Sequence, residues 1–149
     1  MRLCGAPKHS RGVAAVEFVI AAPLLILVML AVAELGRAFV LYDTLSYSIR
    51  NSARFVSENV IEGDTRVISD KLIAEVQKPA RNLAVYGNIT ITEDSIPKLP
   101  DGETMTVNVS KDGDYNVRVD AEYPCHAMMF DAVLPDFTMR VAVTMPAIS

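Results

Sequence analysis

The chain has no tryptophan and only two histidines and two cysteines, and the shortage of the last two removes classes of function. His9 and His126 are far apart, and the neighbours Cys125 and His126 lack the spacing by which two ligands grip one metal ion. Adjacent residues on an extended loop also rarely meet as nucleophile and base. No glycine loop for phosphate and no Gly-x-Ser-x-Gly elbow is present. The expectation is a protein that is not an enzyme and needs neither metal nor cofactor. Cys4 and Cys125 are too few for a disulfide framework. Cys4 has no apolar stretch before it to make it a lipidation site. Cys125 reads as a lone small apolar residue which, were Cys4 removed, has a partner only on another chain.

Acid is missing from residues 1–12, which hold Arg2, Lys8 and Arg11. Residues 38–149 reverse the balance, with 10 Lys/Arg against 16 Asp/Glu. An acidic body excludes nucleic acid as a partner, because a phosphate backbone needs a basic face. Between head and body lies Val13–Ala33, 21 residues with the single charge Glu17. A spanning helix needs about 20 residues, and basic flanks resist translocation. The expected layout is a basic leader over 1–12, a transmembrane helix over 13–33 and an extracytoplasmic domain over 34–149, with the N-terminus in the cytoplasm.

Three readings fit this head. One is an uncut signal anchor. Another is a secretory signal peptide cut at Ala31-Val32-Ala33, before Glu34; it would release a soluble periplasmic binding module unrelated to pili. The third is a prepilin-type leader. Arg11-Gly12-Val13-Ala14-Ala15-Val16-Glu17-Phe18 resembles the cleavage motif of type IV-like prepilins, in which a prepilin peptidase cuts after the glycine and leaves glutamate fifth in the mature chain. Gly12 and Val13 would flank that cut.

The wider segment, with Ala-Val-Glu-Phe, Pro23, the Glu34–Arg37 patch and Asn51-Ser52-Ala53-Arg54, resembles the TadE-like family of pseudopilins, minor components of the tight-adherence (Flp) pilus machinery. The likeness is dense over residues 11–56 and diffuse beyond. It implies a pilin-like α+β fold and a structural role in pilus assembly. The implied partners are a prepilin peptidase, other pilin and pseudopilin subunits, inner-membrane assembly proteins and the lipid bilayer. Glu17 and Phe18 would serve assembly. A carboxylate at mid-bilayer costs roughly 2.5–3.5 kcal/mol, and less near the edge. Cutting after Gly12 would create an ammonium at Val13, one helical turn from Glu17, able to neutralise that carboxylate in the same or a neighbouring subunit. The plainer alternative is that Glu17 snorkels to the headgroups. Pro23 should kink or loosen its helix, a bend that other subunits or a tolerant bilayer would accommodate.

Beyond Ala33 the helical pattern continues. Leu35, Phe39, Tyr42, Leu45, Ile49, Ala53, Val56 and Val60 recur at spacings of three and four, which predicts one apolar stripe buried against the body. Asp64 or Thr65 is the expected N-cap of a second helix over Arg66 to about Ala84, bent or split by Pro79 and ended by Gly87. Then the pattern alternates. Ile89/Ile91, Met105/Val107/Val109, Val117/Val119/Ala121 and Phe137–Met145 predict an antiparallel sheet of three or four strands, with Lys111–Asp114 as a hairpin turn. Asp94, Asp101, Glu103, Asp112 and Asp114 cluster at predicted turns but match no calcium loop and read as a solvated face. The sequons at Asn88 and Asn108 read as chance. Arg50 and Arg54, one turn apart, read as a solvated basic pair.

Overall fold

The structure is a computed structural model and describes residues 10–61, 67–128 and 136–147. Two helices precede three strands: α1 (Ser10–Asn59), α2 (Asp70–Tyr86), β1 (Thr106–Lys111), β2 (Asn116–Cys125) and β3 (Phe137–Pro146). The chain divides into two compact units, Met1–Arg37 and Ala38–Ser149.

In the first unit the described residues belong to α1. Its leucine, alanine and methionine content favours helix, and Pro23 sits inside it without ending it. Proline has no N–H to donate, so the Val19 carbonyl loses its helical donor. Nearly every apolar side chain here is exposed, from Val13 through Val32. Among the described residues α1 is the one helix long and apolar enough to cross a membrane.

The second unit has a core. Leu41, Leu45, Ile49, Ala53, Val56 and Val60 of α1 join Val76, Ala80, Ala84 and Val85 of α2 and the inner face of the sheet. Ser52 Oγ donates to the Ala80 carbonyl at 2.6 Å and ties the two helices together. The predicted stripe is therefore buried from Leu45 onward, but Leu35, Phe39 and Tyr42 at its upper end are exposed. Spacing alone marks a helix's apolar face; it does not mark where the covering body starts.

Helix α2 begins at Asp70, after the extended N-cap Ser69, four residues beyond the expected start. The Asp64 and Thr65 positions lie outside the described residues. Pro79 does not split the helix, which runs through it to Tyr86. Val76, Ala80 and Ala84 bury one face on either side of the proline, so packing holds what the lost hydrogen bond would release. Gly87 ends α2 as expected: it takes a left-handed φ of 80° and its N–H bonds the Leu83 carbonyl, a conformation that costs glycine little.

The sheet is antiparallel in the order β1-β2-β3. Val107 pairs with Ala121 and Val109 with Val119, while Val119 pairs with Val143 and Ala121 with Val141. These share the inner face, so period-two alternation sets the register. Gly113, at φ 79°, turns β1 into β2 where the hairpin is predicted. The expected strand at Ile89/Ile91 is absent. That segment is fixed by local bonds instead: Asn82 Nδ2 donates to the Ile89 carbonyl at 2.9 Å, and Lys98 N–H to the Val85 carbonyl at 2.8 Å. Two alternating isoleucines, both exposed, bury too little to recruit a fourth strand.

Candidate functional site

Gly12, Val13, Glu17 and Phe18 all lie in the first turns of α1. Val13 and Glu17 are four apart and so share a face of the helix. Both are exposed, as is Phe18. A Cβ placed on Gly12 would meet nothing within 4 Å, so the fold itself makes no demand for glycine there. Glu17 has no hydrogen-bonded or ionic partner among the described residues. Each predicted residue thus stands open to whatever approaches this end of the helix. Ala31, Val32 and Ala33, the alternative cleavage site, are exposed and helical within α1.

Near the other end of the apolar run, Arg37 Nη2 donates to Glu34 Oε1 at 2.6 Å and Arg37 Nε to the same oxygen at 3.2 Å. The spacing of three puts them on adjacent turns, within reach of each other. Arg54 Nε donates to Glu58 at 3.1 Å, while Arg50 is exposed. The expected basic pair is thus divided, with one member answered by its own helix.

In the body, Cys125 is buried at the end of β2, in keeping with a small apolar role. Just past it, His126 Nδ1 lies 2.8 Å from Asp136 Oδ1, in the position of the next rung after the Cys125–Phe137 pair. Sequence reasoning had no means to find that contact, since it depends on strand register. No group of three His, Cys, Asp or Glu able to hold a metal ion occurs among the described residues. Asp112 accepts from Thr144 Oγ1 at 3.3 Å, Glu103 Oε1 accepts from the Tyr86 hydroxyl at 3.5 Å, and Asp114 lies 3.9 Å from Lys111 Nζ, so three of the five turn carboxylates have partners within the chain.

A second missed residue is Gln77. Its Nε2 donates to the Val107 carbonyl at 2.7 Å, and its Oε1 accepts from the Val109 N–H at 2.9 Å. The side-chain amide of α2 thereby occupies two backbone groups on the outer edge of β1, as a neighbouring strand would.

No curated protein and no solved structure matches the chain. The family model described as TadE-like protein matches residues 12–54, so over that stretch of α1, from Gly12 to Arg54, the chain is similar to that family.

Proposed function

We propose that the protein is a minor pseudopilin of a tight-adherence (Flp) pilus system, with a structural and not a catalytic role. It sits in the inner membrane through α1, with the basic leader in the cytoplasm and the body in the periplasm. A prepilin peptidase removes residues 1–12. The apolar helix then packs with the helices of other pilin subunits, and the body supplies contacts that initiate, cap or tether the fibre.

The observation that carries this reading is the TadE-like match over residues 12–54, which opens on the glycine of the cleavage motif. Two features of the helix support it. Gly12 has no packing reason to be glycine, which fits a requirement imposed by an enzyme acting on the chain. Glu17 is an exposed carboxylate in an apolar surround. Burying it in lipid would cost up to roughly 3 kcal/mol, a penalty that the new ammonium at Val13 would offset.

The test is the N-terminal sequence of the protein recovered from its native envelope. A start at Val13 is expected. A start at Glu34 would remove most of the apolar helix and leave a soluble module in place of a pseudopilin; an intact start would reduce the protein to a plain anchor. Gly12→Asp should leave an uncut precursor. Glu17→Ala should insert normally and yet impair piliation, and normal fibres from that variant in a deletion strain would sink the pairing idea.

A further inference from the structure

The apolar character of α1 does not stop where the sequence suggests the membrane ends. Leu35 is exposed beyond Ala33, and Phe39 (62%), Val40 (66%) and Tyr42 (48%) follow it. At 100° per residue these four side chains spread over about 160° of the helix circumference. That arc is less than half the circumference but wider than the seam that packs on a single partner helix, and it continues the exposed apolar run from Val13 to Val32, as a helix still in contact with lipid would.

Charge marks the limits of the same stretch. Between Glu17 and Asp43 the only charged residues are Glu34 and Arg37, and these are bonded to each other at 2.6 Å. Residues 18–42 therefore carry no net charge. Twenty-five residues exceed the roughly 20 that fill a hydrocarbon core and approach the roughly 28 that would fill both headgroup layers as well. Two changes then coincide. Leu41 is the first residue of α1 in the core of the body, and Asp43 is the first exposed charge after Glu17. Past this point the outward face carries Arg50, Arg54 and Glu58. Tyr42 next to the exit is of the kind that membrane–water interfaces select, an apolar ring carrying a hydroxyl, and Phe39 one turn earlier adds apolar surface on the lipid side of it.

We infer that residues 34–42 form a collar seated in the outer headgroup layer of the bilayer. Phe39, Val40 and Tyr42 rest among lipid carbonyls and headgroups, and Glu34 and Arg37 enter that layer as a neutralised pair. The body meets water from Asp43 onward. The collar rests on the anchoring part of the function proposed above and is independent of cleavage or pilus assembly. It moves the membrane exit about two helical turns beyond Ala33.

The absence of tryptophan supplies the experiment. The full chain carrying Phe39→Trp, Val40→Trp or Tyr47→Trp is reconstituted alone into vesicles of phosphatidylethanolamine and phosphatidylglycerol. Alkaline carbonate extraction is run first: release of the protein overturns anchoring and the collar together. With the protein retained, tryptophan at 39 and 40 should emit to the blue of that at 47. It should also be quenched by lipids brominated near the glycerol backbone, and resist iodide, present on both sides, by at least about threefold more. Equal iodide quenching at 39, 40 and 47 would overturn the collar while leaving the anchor intact. Shielding seen in native membranes but lost in vesicles of the purified protein would also overturn it, since a protein partner would then be the cover. Two adjacent reporters ensure that one poorly folding variant does not decide the result.

Discussion

At the scale of single residues, two buried serines on α1 make opposite predictions. Ser48 and Ser52 are both fully buried, one turn apart. Ser52 Oγ reaches the Ala80 carbonyl, whereas Ser48 Oγ has no hydrogen-bond partner among the described residues. A buried hydroxyl without a partner costs its desolvation and gives nothing back. Ser48→Ala should therefore raise stability by about 1 kcal/mol, read as a higher urea midpoint at an unchanged slope. Ser52→Ala removes a bond that joins two helices and should lower stability by about 1 kcal/mol. Equal effects of the two changes would mean that the Ser52–Ala80 bond contributes nothing beyond helix propensity. Gly87 gives a third case. Its φ of 80° and a would-be Cβ 2.3 Å from Lys98 Cε mean that Gly87→Ala carries both left-handed strain and a clash. The lysine tip can move, so the lasting cost is the backbone's, about 1–2 kcal/mol.

At the scale of elements, what the sequence made legible depends on how local the cause is. The hairpin at Gly113, the stop at Gly87 and the inner rows of β1, β2 and β3 follow from turn chemistry and alternation within a few residues. Three other features depend on distant partners. Pro79 is expected to bend or split α2, and it does not split it, because the core holds the helix on both sides of the proline. Ile89 and Ile91 alternate as a strand would, but both side chains are exposed and the Ile89 carbonyl accepts from Asn82 of α2 instead of from a neighbouring strand. Gln77 gave no signal at all, because its role exists only when β1, thirty residues away, is laid beside α2. That role is open to measurement. Sealing the outer edge of β1 with a side-chain amide leaves that strand fewer free groups for edge-to-edge pairing. Gln77→Ala would strand the Val107 carbonyl and the Val109 N–H, at a cost of roughly 2 kcal/mol. Gln77→Glu keeps the acceptor for Val109 but loses the donor to Val107, and should fall between the two in urea midpoint. If Gln77→Ala is as stable as the parent, water replaces the amide at no cost and the seal is incidental.

For the whole molecule, the division of the chain separates what folds the body from what anchors it. Every buried side chain of the hydrophobic core, from Leu41 of α1 to Cys125 of β2, lies in the unit Ala38–Ser149. The exposed apolar run from Val13 to Val32 contributes none of it. The proposed action of peptidase, lipid and neighbouring helices on the candidate cleavage site, Glu17 and the apolar span would therefore leave the core unaltered. A fragment of residues 38–149 should consequently fold cooperatively without detergent. It has the core intact and an excess of acid, 16 Asp/Glu against 10 Lys/Arg, which favours solubility. Its urea unfolding free energy should agree with that of the full chain in detergent within about 1 kcal/mol, since ordinary surface changes shift stability by less. A fragment that stays unfolded would mean that residues before Ala38 nucleate or brace the body. Folding coupled to self-association that Phe39→Ser and Val40→Ser abolish would instead identify the exposed collar as the surface that needs cover once lipid is taken away.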